Sequence, residues 1–241
     1  MYNITMFKIK KIENKQPEIK QCKGAQCGIL PKHPFRMMLC GASGSGKTNF
    51  LLNLLTRKEM YKDYFTDMYI ISPTAGNLDQ TYNILGLDDG NYFEPSIEIL
   101  STIMEIQQEK LDKVAGNKNK CKTLVIIDDC ISYDKFINSH EFLTYCIMGR
   151  HYGISIIMTT QAYHRVPKSC RLQCSCICYF RGSQKECKVL TEDFCAPGLS
   201  NKEFLKKINY ATEQRYQFMF IDLNRSIEDG RYRKNLTEKL I

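Results

Sequence analysis

The 241-residue chain has 43% hydrophobic and 25% charged side chains, enough to bury a core without disulfides or a structural metal, which excludes a small stapled scaffold and the disordered and collagenous classes. Thirty-four Lys and Arg against 26 Asp and Glu leave a net charge of +8, a balance that favours a polyanionic partner without establishing one. Twelve Cys with no apolar signal core in Met1–Lys11 imply a reducing compartment with free thiols, and no apolar run approaches the roughly 20 residues of a bilayer span, so a soluble protein is expected.

Residues 1–34 read as a basic N-terminal extension. Residues 1–40 carry eight Lys and Arg against Glu13 and Glu18, and Pro17, Gly24, Gly28 and Pro31 interrupt any periodicity. Phe35–Cys40 is a short apolar run, followed by Gly41-Ala42-Ser43-Gly44-Ser45-Gly46-Lys47-Thr48 and by Asn49–Arg57 with Phe50, Leu51, Leu54 and Leu55 at helical spacing. That is strand, glycine loop, helix. Asp67–Ser72 reads as a second strand stopped by Pro73, and Asn77–Leu85 and Ile97–Val114 as helices. Thr123–Ile127 is aliphatic without alternation, as a strand covered on both faces should be. A helix over Tyr133–His151 precedes the apolar run Ile154–Met158, and strands are expected at Cys174–Phe180 and Tyr216–Leu223 around a helix near Asn201–Asn209. Alternating strands and helices predict a three-layer α/β domain over residues 35–223 with a mainly parallel sheet, leaving 224–241 as a C-terminal tail.

Cys174, Cys176 and Cys178 alternate and so are expected on one face of a strand, as small buried hydrophobes. Cys22-x4-Cys27 and Cys170-x3-Cys174 have spacings closer to those of zinc ligands, and that alternative stays open on spacing alone.

Gly41 to Thr48 satisfies G-x-x-x-x-G-K-[S/T] at every fixed position and lies where the chemistry needs it, between a buried strand and a helix start. Successive N–H groups of such a loop point at phosphate oxygens, and the helix dipole adds a positive end. Gly41, Ala42, Ser43, Gly44, Ser45, Gly46, Lys47, Thr48 and Asn49 therefore form the expected ATP-binding set. Lys47 would neutralise β- and γ-phosphate charge, and the Thr48 hydroxyl would ligate Mg2+. Leu124-Val125-Ile126-Ile127-Asp128-Asp129 is a hydrophobic strand ending in two carboxylates: Asp128 for the metal, Asp129 to polarise the attacking water. An Asp between strand and helix is also a common N-cap, and it is the glycine loop about 80 residues upstream, with a strand between, that favours the catalytic reading. Gln161 follows the next strand, where an amide could sense the γ-phosphate or orient water, although a lone polar residue there is often a turn residue. Arg150, Arg165, Arg171 and Arg181 lie near the expected catalytic edge or just beyond it; Arg171 and Arg150 are the two chosen as candidates for meeting charge on the transferred phosphoryl.

Taken together, Gly41–Thr48, Ile70-Ile71-Ser72-Pro73-Thr74, Ile126–Asp129, Arg150-His151-Tyr152, Ile154–Ile157, Thr160-Gln161-Ala162-Tyr163 and Val166-Pro167 leading to Arg171 resemble the genome-packaging ATPases of poxviruses, giant DNA viruses and their virophages, within the FtsK/HerA superfamily. The similarity runs from about Phe35 to Asp222, and Arg231–Asn235 is also similar. The resemblance implies a P-loop NTPase fold of the RecA/ASCE kind and a Mg2+-dependent ATPase. It further implies a hexameric or pentameric ring driving double-stranded DNA into a capsid, with capsid proteins as further partners and the viral factory of the host cytoplasm or the virion as location. Lys47 and Thr48 match the Walker A positions, Asp128 and Asp129 the Walker B pair, and Gln161 the sensor. Many members of the superfamily carry Glu where this chain has Asp129, an acid one methylene shorter. Candidate DNA-facing loops are the basic arm, Lys118–Lys122 and Arg165–Arg171.

A P-loop nucleotide or nucleoside kinase is the main alternative; it needs an Arg-rich lid, for which only Arg171–Arg181 offers material. A GTPase is disfavoured because Asn117-Lys118-Asn119-Lys120 lacks the Asp that would read guanine. A scaffold that binds nucleotide without turnover is the remaining alternative.

Overall fold

A computed structural model describes residues 18–74 and 80–241. Strand β1 (Arg36–Cys40) alternates its side chains between two cores: Met38 and Cys40 enter one, Met37 and Leu39 the other. Helix α1 (Lys23–Gln26) lies before it and α2 (Lys47–Thr56) after it, and both pack on the second core through Ala25, Leu51, Leu54 and Leu55. The chain continues through β2 (Asp67–Ile71), the two-residue β3 (Tyr92–Phe93) and α3 (Ile97–Lys113), whose Ser96 cap accepts from the Ile99 amide. Strand β4 (Thr123–Asp128) leads to α4 (Asp134–Ile137) and α5 (His140–Met148). Strand β5 (Ile154–Thr160), α6 (Lys168–Arg171) and β6 (Cys176–Phe180) follow. Helices α7 (Gln184–Phe194) and α8 (Asn201–Ala211) precede β7 (Phe218–Asp222), β8 (Tyr232–Lys234) and β9 (Glu238–Lys239).

The sheet runs β3-β2-β4-β5-β1-β6-β7-β8-β9. Pairings from β3 to β6 are parallel and those from β6 to β9 antiparallel. Leu100, Ile103, Phe142, Tyr145, Leu190, Phe194, Phe204 and Ile208 cover one face from α3, α5, α7 and α8. The three layers expected from alternating strands and helices are present.

Several expectations are corrected. The helix expected at Tyr133–His151 breaks at Asn138, because the Ser139 hydroxyl accepts from the Phe142 amide and starts a new helix. The Asn77–Leu85 expectation falls partly outside the described residues, and Gln80–Leu85 is a 3-10 helix. Helix α7 was not expected; Ser183 caps it, and Leu190, Thr191 and Phe194 form its buried face. Cys176 and Cys178 share a face in the second core, but Cys174 precedes the strand and packs in the first.

Both proposed boundaries also move. Of the extension, residues 1–17 lie outside the described residues, whereas residues 18–34 are built into the domain. Leu30 and Ala25 are buried, the Tyr61 hydroxyl donates to the Pro31 carbonyl at 2.5 Å, and the Lys20 amide donates to Asn119. Residues 224–241 are no tail: β8 extends the sheet beyond β7, and the buried Tyr232 hydroxyl donates to the Phe194 carbonyl and accepts from the Ala196 amide. Among the described residues no helix is long and apolar enough to cross a membrane, and no group of three or more His, Cys, Asp or Glu side chains converges to hold a metal ion.

Candidate functional site

The glycine turn after β1 is tied to both neighbouring strands. The Gly41 amide donates to the Thr160 carbonyl at the end of β5, and the Ala42 amide to the Arg181 carbonyl just past β6, each at 3.2 Å. Gly44 at φ +67° and Gly46 at φ +103° occupy left-handed backbone that side chains disfavour, and this lets the loop curl before α2 begins at Lys47. Ser43 and Gly44 of the turn and Asn49 in the first turn of α2 are exposed.

Lys47 is buried, and its ammonium donates to the Gly41 carbonyl at 2.8 Å and to the Ala42 carbonyl at 3.0 Å. Burial pushes its pKa down, and Asp129 leads the neighbours that oppose that shift, with Asp128 also contributing. The ammonium and the two carboxylates therefore share one electrostatic neighbourhood.

Strand register brings the acids there. Asp128 pairs with Thr159 and Cys40 with Thr160, so β4, β5 and β1 end at one rim. The Thr159 hydroxyl donates to Asp128. Asp129 adopts φ +50°, a left-handed conformation that Asp tolerates, and its amide donates to Thr159. Its Oδ2 accepts from Gln161 Nε2 at 2.5 Å, while its Oδ1 is buried and without a hydrogen-bond partner. Asp128, Asp129 and Gln161 thus stand at one rim, with Lys47 in the same electrostatic neighbourhood. A carboxylate with one oxygen held by an amide and the other unpartnered can accept a water proton on the free oxygen.

The arginines fall differently. Arg171 is 7% exposed; its Nε donates to Asp193 at 2.7 Å, its Nη1 to the Val166 carbonyl at 2.6 Å, and its guanidinium lies 4.9 Å from the Tyr163 ring centre. The Tyr163 hydroxyl donates to the same Asp193 oxygen at 2.8 Å. Arg171 is a buried structural cation, and the assignment of a catalytic role to it is corrected. Arg150 is exposed just before β5 begins, so the seven residues of that strand separate it by roughly 20 Å from Gln161 at the other rim, which removes it from its own chain's site. Arg165 forms an exposed pair with Asp134 at 3.0 Å. Arg181 is the one of the four that lines the cleft at the glycine turn.

That cleft has a volume of about 660 Å³, within the usual range for ligand sites. It is lined by Ala42–Ser45, Gln161, Arg181, Glu186 and the turn Gln214–Gln217. Glu186 accepts from the His164 amide at 3.1 Å and also bonds the His164 ring. Sequence reasoning missed Glu186 and the 214–217 turn; the start of a helix directly after β6 was the available signal for the first.

A family model described as Poxvirus A32 protein matches residues 26–233. The DNA packaging proteins OPG160 of variola virus and of vaccinia virus (strain Copenhagen) are each 30% identical over 181 residues, 75% of this chain and 65% of theirs. The chain thus spans just under two thirds of the length of these curated relatives. Among solved structures, the sulfate complex of a genome packaging NTPase from Sulfolobus turreted icosahedral virus 2 matches with TM-score 0.55 at 15% identity, over 79% of this chain and 92% of that one. ATPases 2 and 3 of EssC from Geobacillus thermodenitrificans match with TM-score 0.54 at 15% identity, over 79% and 38% of the two chains. These likenesses show the fold alone: an α/β domain on a mostly parallel sheet, shared with those proteins.

Proposed function

The chain belongs to the Poxvirus A32 protein family, and from that membership and the site geometry we propose that it is an ATP-hydrolysing motor that moves double-stranded DNA into a viral capsid. The observation that carries the proposal is the buried Lys47 of the glycine turn at the rim where Gln161 holds Asp129. The relatives called DNA packaging proteins supply the substrate class.

In this reading the amides of residues 41–48 and Lys47 bind the triphosphate, with Lys47 exchanging loop carbonyls for phosphate oxygens. Gln161 keeps Asp129 Oδ2 engaged, so Oδ1 is the atom that accepts the proton of the attacking water. Magnesium, a hard cation that takes one or two carboxylates together with substrate phosphates, suits these donors: Asp128 is a carboxylate at the rim, Thr48 offers a hydroxyl in the first turn of α2, and Asp129, the residue after Asp128, has an unpartnered carboxylate oxygen. Thr48 and Asp128 would hold it, and when bound it neutralises charge on the β- and γ-phosphates. Among the described residues, Arg181 and Arg215 are the arginines that line the cleft within one copy. Arg150, exposed at the opposite rim, can reach a nucleotide only across a subunit boundary in a ring of five or six.

The loop Lys118–Lys122 lies at the rim opposite the nucleotide, just before β4, and there duplex phosphates can be contacted without base readout. Arg171 drops out of the third candidate loop because it is buried. Capsid proteins are the further partners, and the viral factory or virion the place of action. A kinase lid built on Arg171–Arg181 would need Arg171 to leave Asp193, which disfavours that alternative.

Turnover of ATP with Mg2+ tests the reading. Saturating duplex DNA at low salt should raise the rate, and the gain should fall as salt rises. Turnover indifferent to DNA, or ADP release that depends on an added nucleoside, would overturn it. Electron microscopy with an ATP analogue and duplex DNA should show rings with a central hole.

A further inference from the structure

Tyr216 is 56% exposed and adopts φ +69°, a backbone conformation that a bulky side chain rarely holds unless its surroundings impose it. It sits at the tip of the turn between α8 and β7. The Gln214 amide donates to Gln217 Oε1 at 3.2 Å, the Gln217 amide returns a bond to the Gln214 carbonyl at 3.2 Å, and the two side chains meet at 3.3 Å. The next residue anchors the turn in the core, where Phe218 packs on Phe50 of α2 at 4.5 Å between ring centres and on Phe180 at 5.0 Å. The Arg215 guanidinium lies 4.7 Å from the Tyr216 ring centre.

This aromatic pair is placed against the glycine turn. A Cβ on Gly46 would come within 3.0 Å of Tyr216 Cδ1, so the ring lies directly beside the residue preceding Lys47. Both Arg215 and Tyr216 line the cleft shared with Ala42–Ser45.

Strand order fixes the direction of a bound nucleotide. The groups that act on the terminal phosphate, Asp128, Asp129 and Gln161, stand at the ends of β4 and β5, on one side of β1. A triphosphate held after β1 with its reacting end towards them must send its nucleoside to the other side, over β6 and β7. The turn that carries Tyr216 opens β7.

We propose that Arg215 and Tyr216 form the nucleobase platform of this site, the Tyr216 ring stacking on the heteroaromatic base of the nucleoside triphosphate whose phosphates the glycine turn holds. The inference rests on the nucleotide-binding reading above and adds the element that distinguishes a nucleotide from bare polyphosphate. Arg215 covers one part of the ring and adds a cation near the base and sugar.

Calorimetric binding of ATP and of inorganic tripolyphosphate to the full chain tests this with Tyr216→Ala and Tyr216→Phe. Stacking of a base on an aromatic side chain is typically lost at about 5- to 100-fold in affinity on truncation to Ala. Tyr216→Ala should weaken ATP by that factor and leave tripolyphosphate within twofold, and Tyr216→Phe should retain ATP. Unchanged ATP affinity in Tyr216→Ala would overturn the proposal, as would equal loss of ATP and tripolyphosphate, which would make Tyr216 a mere prop for Gly46. A wild type that binds neither ligand, or a Lys47→Ala protein that binds both as well as wild type, would instead overturn the nucleotide reading itself and this inference with it.

Discussion

Arg171→Ala separates a structural cation from a catalytic one. The Asp193 carboxylate is 2% exposed and its partner 8%, and the same Asp193 oxygen receives both the guanidinium and the Tyr163 hydroxyl. Removing the cation leaves a charge in a site water cannot reach, which costs about 3–5 kcal/mol, whereas an exposed pair such as Arg165 with Asp134 is worth about 0–1 kcal/mol. For a chain of this length a loss of that size lowers the melting temperature by roughly 10 °C. Urea titration followed by circular dichroism should report the loss, and ATP turnover per folded molecule should stay near wild type. Adding Asp193→Asn should recover part of the stability, because the unpaired charge is gone. A finger residue behaves in the opposite way: full stability with turnover about 1,000-fold down or more. That result for Arg171→Ala would refute the structural assignment and restore the catalytic one.

Other outcomes follow from the same contacts. His33 is buried with Nδ1 at 2.6 Å from the Ser155 hydroxyl, and burial first, then the charges of Lys122 and Lys118, bring its pKa down to about 3. The neutral ring is the folded form, so its contribution is intact above the unfolded pKa near 6.5 and is lost as pH falls: about 2 kcal/mol between pH 7.5 and 5. His33→Gln should flatten that slope in acid denaturation, and parallel slopes would contradict the assignment. Asp129→Asn should bind ATP but hydrolyse it at least about 100-fold more slowly, since the proton acceptor is removed; wild-type single-turnover rates would exclude Asp129 from the mechanism. Gly46→Ala, which meets both a left-handed φ and Tyr216 Cδ1, should lose stability by about 1–2 kcal/mol and weaken ATP together with tripolyphosphate; a normal ATP titration would show that the turn can be remodelled freely.

What the sequence revealed of the site depended on whether chemistry and chain geometry coincide locally. The glycine turn must follow a buried strand and start a helix, so Gly41–Thr48 declares its position within one motif. Asp128 and Asp129 end an aliphatic run without alternation, the pattern of a strand covered on both faces, which places that run inside the sheet. Gln161 was legible by its place after β5, and its bond to Asp129 bears out the proximity, while its sensing role belongs to the proposal. Arginine roles were opaque because they are set by the acid each side chain meets, and Asp193 lies 22 residues beyond Arg171 on a helix that was not expected. The short strands β8 and β9 were missed for a related reason: three and two residues are too few for alternation, and pairing of β8 with β7 and of β9 with β8 decides them. Tyr216 carried no motif at all, since only the folded turn brings it to Gly46.

The two ends of the sheet limit how copies of this protein can meet. β3 has two residues, and β9 has two exposed residues, Glu238 and Lys239, of opposite charge. Such blunted margins offer almost no ladder for a neighbouring strand to continue. If copies assemble as proposed, their contacts are expected to use side-chain surfaces and loops, which can slide and re-form in a way that a shared backbone ladder cannot.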